Sequence, residues 1–144
     1  MVDGAKVEQL LGRLQEFHTT LSALASTPRA VLLANGDKIG SAKYHFVVAI
    51  ECAIDVANHI IASEGLRIPT SNADSFAVLG EASVLQADFV DRLRAMARFR
   101  NRLVHLYWEV DDELVADYLV DGLPDIHGFA VAIGRWMGGS RSVP

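Results

Sequence analysis

Three side chains that suit chemistry on a phosphodiester lie within an eight-residue stretch of this 144-residue chain. Arg100 carries a permanent positive charge, His105 carries an imidazole, and Tyr107 carries a phenol. A guanidinium binds phosphate through two parallel hydrogen bonds, and an imidazole exchanges a proton near neutral pH. The spacing therefore predicts a site that holds a phosphate and transfers protons beside it. The competing interpretation is that these residues merely end a helix.

Several arginines precede and surround this stretch. Five of them fall within eleven residues, namely Arg92, Arg94, Arg98, Arg100 and Arg102. Asp88 and Asp91 stand four and three positions before the first two arginines, a spacing that predicts intrahelical ion pairs. The last three arginines have no acid at either spacing, so they need water, another helix, another chain or an anionic ligand.

The position of Arg100 on a helix distinguishes it from the other arginines. At about 100° per residue, Arg100 falls among apolar neighbours on the same side as Tyr107, where an unpaired cation is costly. His105 lies about 140° away on an ideal helix. The two side chains reach one phosphate only if the arginine curls around, the helix ends early, or two chains share the site.

RNA cleavage without a metal needs one group to accept a proton and another to donate one, and a two-fold dimer would supply two imidazoles.

Helical periodicity dominates the chain and predicts an all-α bundle. The two long central helices are expected at residues 42–64 and 86–107. The segment from Ser71 to Asp74 resembles a capping box. The shorter flanking helices are expected at residues 7–25, 71–81, 112–120 and 124–137, with room for one more between residues 28 and 35. We expect a single domain over residues 1–137 and a flexible tail over residues 138–144.

Composition narrows the function classes. A net charge of −5 argues against general coating of nucleic acid but leaves room for a local basic site. The mean hydropathy of +0.22 suggests that another subunit covers some apolar surface. Charged and polar residues interrupt the most apolar run, 46–61, so no membrane span is predicted. The N-terminus lacks the layout of a signal peptide, and a cytoplasmic location is expected.

A second polar stripe lies on the predicted helix 42–64 and contains Glu51, Asp55, Asn58 and His59. Asp55 and His59 are four residues apart and could share a metal ion, as in some helical bundles. The chain has no second Glu-x-x-His motif, which makes this the weaker alternative. The favoured interpretation is that Glu51 and Asp55 neutralise the unpaired arginines across the bundle and orient Arg100. No metal site and no cofactor are therefore predicted.

The segment 99–107 contains the pattern Arg-Asn-x3-His-x-Tyr and resembles the HepT-like toxins of the HEPN superfamily. Segments 54–61 and 69–85 resemble the same family, so the likeness covers roughly residues 44–109. It implies a HEPN-like helical bundle and a homodimeric ribonuclease that acts on RNA, in which Arg100 and His105 are catalytic and Asn101 supports them. Arg102 belongs to the expected supporting set. The resemblance also implies an MntA-like nucleotidyltransferase antitoxin that adenylylates Tyr107.

A different class of function remains open at this point. The chain could be a non-catalytic helical subunit that binds a nucleotidyltransferase partner or a nucleotide. RNA cleavage that depends on His105 would separate the enzyme from this binding subunit.

Overall fold

The computed structural model describes residues 2–142, with side chains described through residue 139. No strand occurs over these residues, which confirms the predicted all-α fold. The described chain consists of seven α-helices and one short 3-10 turn, Tyr107–Glu109. The helices are α1 (Gly4–Ala25), α2 (Arg29–Leu33), α3 (Gly36–Ser63), α4 (Asn72–Glu81), α5 (Ala87–His105), α6 (Asp112–Asp121) and α7 (Leu123–Ser142).

The central helix α3 begins six residues earlier than predicted. Asn35 caps it, because its side-chain oxygen accepts a hydrogen bond from the backbone N–H of Lys38 at 3.1 Å. The sequence contains Asn35 and Gly36 before the predicted helix 42–64, and this pair is typical of a break between helices. An asparagine that interrupts one helix can equally start the next, since it satisfies an N–H that has no partner inside the helix.

Helix α3 forms the middle of the hydrophobic core and packs against α1, α4, α5, α6 and α7. Phe46, Ile50 and Ile60 on this helix are fully buried, and each such side chain contributes about 1.5–3 kcal/mol through burial. Among the described residues, α3 is the one helix that is long and apolar enough to cross a membrane. Its most apolar window has a mean hydropathy of 1.6, and 56% of that window is buried inside the bundle. The core helix of a soluble protein has the same properties.

Three aromatic rings fix the second half of α5 against α3 and α6. Phe99 lies edge-on to Phe46 with ring centroids 5.5 Å apart, and it stacks on Tyr118 at 4.1 Å. Aromatic pairs in these geometries add about 0.5–1.5 kcal/mol to the area they bury. Because Phe99 immediately precedes Arg100, this packing determines where the arginine leaves the helix.

Helix α4 is held at its start by a cap and an exposed charge cluster. Ser71 accepts a hydrogen bond from the backbone N–H of Asp74 at 3.0 Å, which confirms one half of the predicted capping box. The carboxylate of Asp74 accepts the backbone N–H of Thr70 rather than that of Ser71. Arg67 binds the carboxylates of both Asp74 and Glu81. The guanidinium holds the pKa of Asp74 well below its usual range, and hydrogen bonds from Thr70 add to the effect.

The last helix differs from its predicted end. Helix α7 continues to Ser142, whereas the sequence predicted an end near residue 137 and a flexible tail from residue 138. The backbone of residues 138–142 is therefore helical, and residues 143 and 144 lie outside the described part of the chain. The division of the chain into one domain and a tail stays a prediction.

Candidate active site at the end of helix α5

Helix α5 ends at His105, two residues before the predicted end at Tyr107. Leu106 leaves the helical conformation with φ −130° and ψ 41°, and its carbonyl accepts the N–H of Glu109 within the 3-10 turn. Arg100 and His105 are thus both helical, while Tyr107 lies beyond the helix. Helical spacing therefore does not set the position of Tyr107 relative to Arg100, although both side chains contact residues of α3.

Arg100 is tied across the bundle to Glu51 on α3. Its Nη2 donates to Oε1 of Glu51 at 2.6 Å, and its Nη1 donates to the side-chain oxygen of Asn101 at 3.0 Å. The side chain of Arg100 is 17% exposed, against 43% for Glu51. A half-buried guanidinium needs such a partner, and the predicted pairing of Glu51 with an arginine is confirmed.

Asp55 does not take part in this pairing. It lies about one turn after Glu51 on α3 and forms no salt bridge among the described residues. Burial raises the pKa of Asp55, and the negative charge of Glu51 raises it further. The expected neutralisation of the arginines is therefore found for Glu51 alone.

Asn58 and His59, the remaining polar residues of the α3 stripe, lie in separate environments. Asn58 accepts a hydrogen bond from Ser75 on α4 at 2.7 Å. The Nε2 atom of His59 is buried without a hydrogen-bond partner in the described structure. Across the described residues, no three His, Cys, Asp or Glu side chains are grouped so that they could hold a metal ion.

The arginines near the start of α5 have carboxylate partners. Near the start, Arg94 lies 4.0 Å from Asp91, as predicted, but Arg92 pairs with Asp125 of α7 at 2.5 Å rather than with Asp88. Burial raises the pKa of Asp125 and the charge of Arg92 opposes that rise. A largely buried carboxylate gains more from a cation than an exposed one does, and helical spacing alone does not detect a partner on a distant helix.

Near the end of α5 the basic side chains are open to solvent. Arg98, Arg102 and His105 are all exposed, and none of them forms a salt bridge with the described residues. Together with Arg100, they make this end of the helix basic on a chain of net charge −5. Such a surface can bind an anion, and its imidazole can exchange a proton with it.

An apolar surface adjoins these basic side chains. Trp108 is 79% exposed and Tyr107 is 49% exposed, and Val104 and Leu106 are exposed beside them. A tryptophan is more often found in a core or at an interface than in open solvent, and Trp108 does not lie in the core of this chain.

Sequence reasoning missed Lys43, which contacts the motif from α3. Its Nζ lies 4.4 Å from the centroid of the Tyr107 ring, and it donates to the carbonyl of Val110 at 3.4 Å. The signal available in the sequence was a lysine that falls, at helical spacing, on the same side of α3 as Phe46 and Ile50. A basic residue at a core position indicates a specific partner.

Comparison with known proteins places this geometry in context. A family model described as ribonuclease HepT-like matches residues 8–133. The mRNA nuclease HepT of Shewanella oneidensis is 35% identical over 79 residues, which are 55% of this chain. The matched region spans 59% of the length of that curated relative.

Two solved structures share the fold. YutE, a cytosolic protein of unknown function from Bacillus subtilis, has a TM-score of 0.80 and 23% identity over 99% of this chain and 95% of its own. The tri-AMPylated HEPN toxin of Shewanella oneidensis, solved in complex with an MNT antitoxin, has a TM-score of 0.83 and 23% identity over 90% of this chain and 96% of its own. The family model covers most of the chain, including the whole of α5 and the turn that follows. This chain therefore belongs to the ribonuclease HepT-like family.

Proposed function

We propose that this chain is the toxin of a toxin–antitoxin pair and that it cleaves RNA by a metal-independent mechanism. The observation that carries the proposal is the end of α5, where Arg100 is oriented by Glu51 and Asn101 and exposed His105 closes the helix. Membership of the ribonuclease family supports it, and so does the likeness to an mRNA nuclease. We place the activity in the cytoplasm, where RNA and nucleoside triphosphates occur together.

The proposed reaction uses the 2′-hydroxyl of RNA as the nucleophile. One imidazole takes the proton of this hydroxyl, and the freed oxygen attacks the adjacent phosphorus. A 2′,3′-cyclic phosphate forms, the bond to the 5′ oxygen breaks, and a second imidazole protonates that leaving oxygen. Arg100 binds the phosphate and stabilises the negative charge that develops in the transition state. Arg102 adds positive charge along the approach of the RNA.

A homodimer would supply both imidazoles, one from His105 of each copy. The exposed apolar surface around Trp108 adjoins the basic end of α5, so a two-fold contact there would bring two motifs together. We expect Trp108→Glu to produce monomers in size-exclusion chromatography and to abolish cleavage. Ile68→Glu is the matched control, since Ile68 is 87% exposed on the loop before α4. A dimer that survives Trp108→Glu would place the interface elsewhere.

The partner in this proposal is an MntA-like nucleotidyltransferase antitoxin that adenylylates Tyr107. The phenol is half-exposed, and its hydroxyl makes no hydrogen bond within the described residues. The related Shewanella oneidensis toxin carries AMP and is bound to its antitoxin. An added AMP brings bulk and negative charge beside Arg100 and His105, which would repel RNA.

His105→Ala tests the central claim. Wild-type protein, shown by intact mass to be free of AMP, is incubated with RNA in the presence of a chelator. We expect His105→Ala to lower the cleavage rate by about 10²–10⁴, the usual contribution of general acid–base catalysis. His127→Ala is the control, because His127 is an exposed histidine on α7. If AMP-free wild-type protein leaves RNA intact, the chain is instead a non-catalytic subunit that binds the nucleotidyltransferase or a nucleotide.

A further inference from the structure

Lys43 is the only buried basic residue among the side chains described. It is a residue of α3, and 7% of its surface is exposed to solvent. Moving an ammonium group out of water is costly unless nearby groups compensate its charge. The burial of a lysine in a small helical bundle therefore indicates that its side chain has a specific role.

Within the described structure, the partners of Lys43 lie between Tyr107, just after α5, and Asp112, the first residue of α6. Its Nζ faces the ring of Tyr107 at 4.4 Å, donates to the carbonyl of Val110 at 3.4 Å, and lies 3.7 Å from a carboxylate oxygen of Asp112. Charge-assisted hydrogen bonds are usually about 2.7–2.9 Å long. The ammonium is therefore held by three weak contacts and retains capacity for a stronger anionic partner.

The contact with Lys43 fixes one face of the Tyr107 ring and leaves its hydroxyl free. An ammonium over the face of a phenol is attracted by the electron-rich ring, so the ring has a preferred orientation although 49% of the residue is exposed. An exposed tyrosine without such a contact would sample several side-chain rotamers. The structure thus presents the phenol in one orientation to an incoming partner.

We propose that Lys43 positions Tyr107 as the acceptor of AMP and then faces the phosphate that this residue acquires. The inference rests on the proposed function and identifies a residue that controls its regulation. The phenolic oxygen attacks the α-phosphorus of ATP held by the nucleotidyltransferase, and an oxygen–phosphorus bond forms. The bond from that phosphorus to the β-phosphate oxygen breaks, pyrophosphate leaves with the electron pair, and the phenolic proton passes to a base of the partner or to water.

Arg100 is less suited than Lys43 to this role. Lys43 contacts the Tyr107 ring directly and its nearest acid lies at 3.7 Å, whereas the side-chain partners of Arg100 in the described structure are Glu51 and Asn101. The new phosphodiester carries one negative charge close to the ring that Lys43 faces. Attraction to this charge favours the modified state, and therefore the inhibited toxin.

Substitution of Lys43 by methionine tests the proposal, because methionine keeps an unbranched chain without the charge. The initial rate of AMP incorporation is followed by intact mass with the cognate nucleotidyltransferase and ATP. We expect Lys43→Met to slow modification about tenfold, a factor between those that correspond to an exposed and to a desolvated cation–π contact. Lys43→Arg should restore the rate to within about threefold, because it returns a cation.

The matched control is Lys38→Met on the same helix. Lys38 is half-buried and also bridges two elements, since its Nζ donates to Thr27 at 3.4 Å, but it lies away from Tyr107. We expect its modification rate to equal that of wild type. RNA cleavage by the unmodified proteins is measured in parallel, so that a selective loss of modification can be recognised.

Two results would overturn the role of Lys43. One is a wild-type rate of AMP incorporation in Lys43→Met, and the other is an equal proportional loss of modification and of RNA cleavage, which indicates a general structural role. Failure of the proposed function gives a different result, because the wild-type protein itself would then incorporate no AMP.

Discussion

The two ends of helix α5 carry similar charges in opposite surroundings. At the start of the helix, Arg92 and Arg94 both have carboxylate partners, one from α7 and one from the same helix. At the end, Arg98 and Arg102 are exposed and have no salt bridge among the described residues. Arg100 alone has its charge matched there, by Glu51 from the opposite side of the bundle.

This difference shows why net charge is a poor guide to the partner of a small protein. The chain carries a charge of −5, yet its acids are placed so that they leave one end of α5 uncompensated. An anion approaching this end meets a local positive field that the sum over the whole chain conceals. Variants of arginines at the start of α5 therefore serve as controls for variants of arginines at its end.

The largest effect we expect from a conservative arginine change is that of Arg100→Lys. The substitution keeps the positive charge but removes the planar fork that binds phosphate and carboxylate through two hydrogen bonds. We expect RNA cleavage to fall by about 100-fold, in the range typical for loss of one preorganised donor. Initial rates on a fluorescent oligoribonucleotide measure it, and Arg94→Lys at the other end should stay within about twofold. Equal losses in the two variants would remove the functional distinction between the ends.

The features that sequence predicted are those with a local origin. The helical period gave the all-α fold, Ser71 indicated the start of α4, and the apolar surroundings of Arg100 indicated that it needs a partner. These inferences depend on residues within a few turns of each other, where side-chain spacing determines proximity.

The features that sequence missed depend on contacts between distant elements. The acid that pairs with Arg92 lies on α7, and its burial, which makes it the better partner, is a property of the folded bundle. The early end of α5 follows from the way Leu106 turns the chain into the 3-10 segment. Lys43 was overlooked because one lysine within an apolar helix has no visible partner until segment 107–112 folds over it.

A smaller effect is expected from Glu51→Gln, which keeps the shape of the side chain and removes its charge. The weakened bond would let the guanidinium of Arg100 leave its orientation, so we expect cleavage to fall about tenfold. The double variant with Arg100→Lys tests the pathway of this effect. If Glu51 acts through Arg100, the fold-loss of cleavage in the double variant is smaller than the product of the two single fold-losses. A double variant whose fold-loss equals that product would show that the two residues act independently.

Arg92→Ala should affect stability rather than cleavage, because it removes the cation beside the largely buried Asp125. Burial raises the pKa of Asp125 in the folded protein above its usual value of 3.8, and Arg92 opposes this rise. Without Arg92 the pKa rises further, so the variant loses stability relative to wild type as the pH increases through the raised pKa of Asp125 in the folded wild-type protein. Below about pH 4 the carboxyl is largely protonated in the folded state of both proteins and the difference vanishes.

We expect Arg92→Ala to lower the free energy of unfolding by about 1 kcal/mol at pH 7, after discounting for the exposed guanidinium. Urea denaturation at several pH values measures the effect, and Arg94→Ala is the control because its pair is long and exposed. A destabilisation that persists unchanged at pH 3 would assign the effect to lost packing of the arginine stem instead.

The smallest effect concerns Arg102, whose exposed charge should contribute to RNA affinity without directing catalysis. Each phosphate contact on single-stranded nucleic acid adds about 0.7 to the slope of log affinity against log salt. We expect Arg102→Gln to reduce this slope by about that amount and to weaken binding a few-fold at 0.15 M salt. Binding of a 2′-O-methyl oligoribonucleotide, which lacks the nucleophilic hydroxyl, measures it without cleavage. Arg94→Gln should leave the slope unchanged, since that charge already faces Asp91. An equal reduction in both variants would mean that RNA contacts the whole length of α5, and the contrast between its two ends would then be one of stability alone.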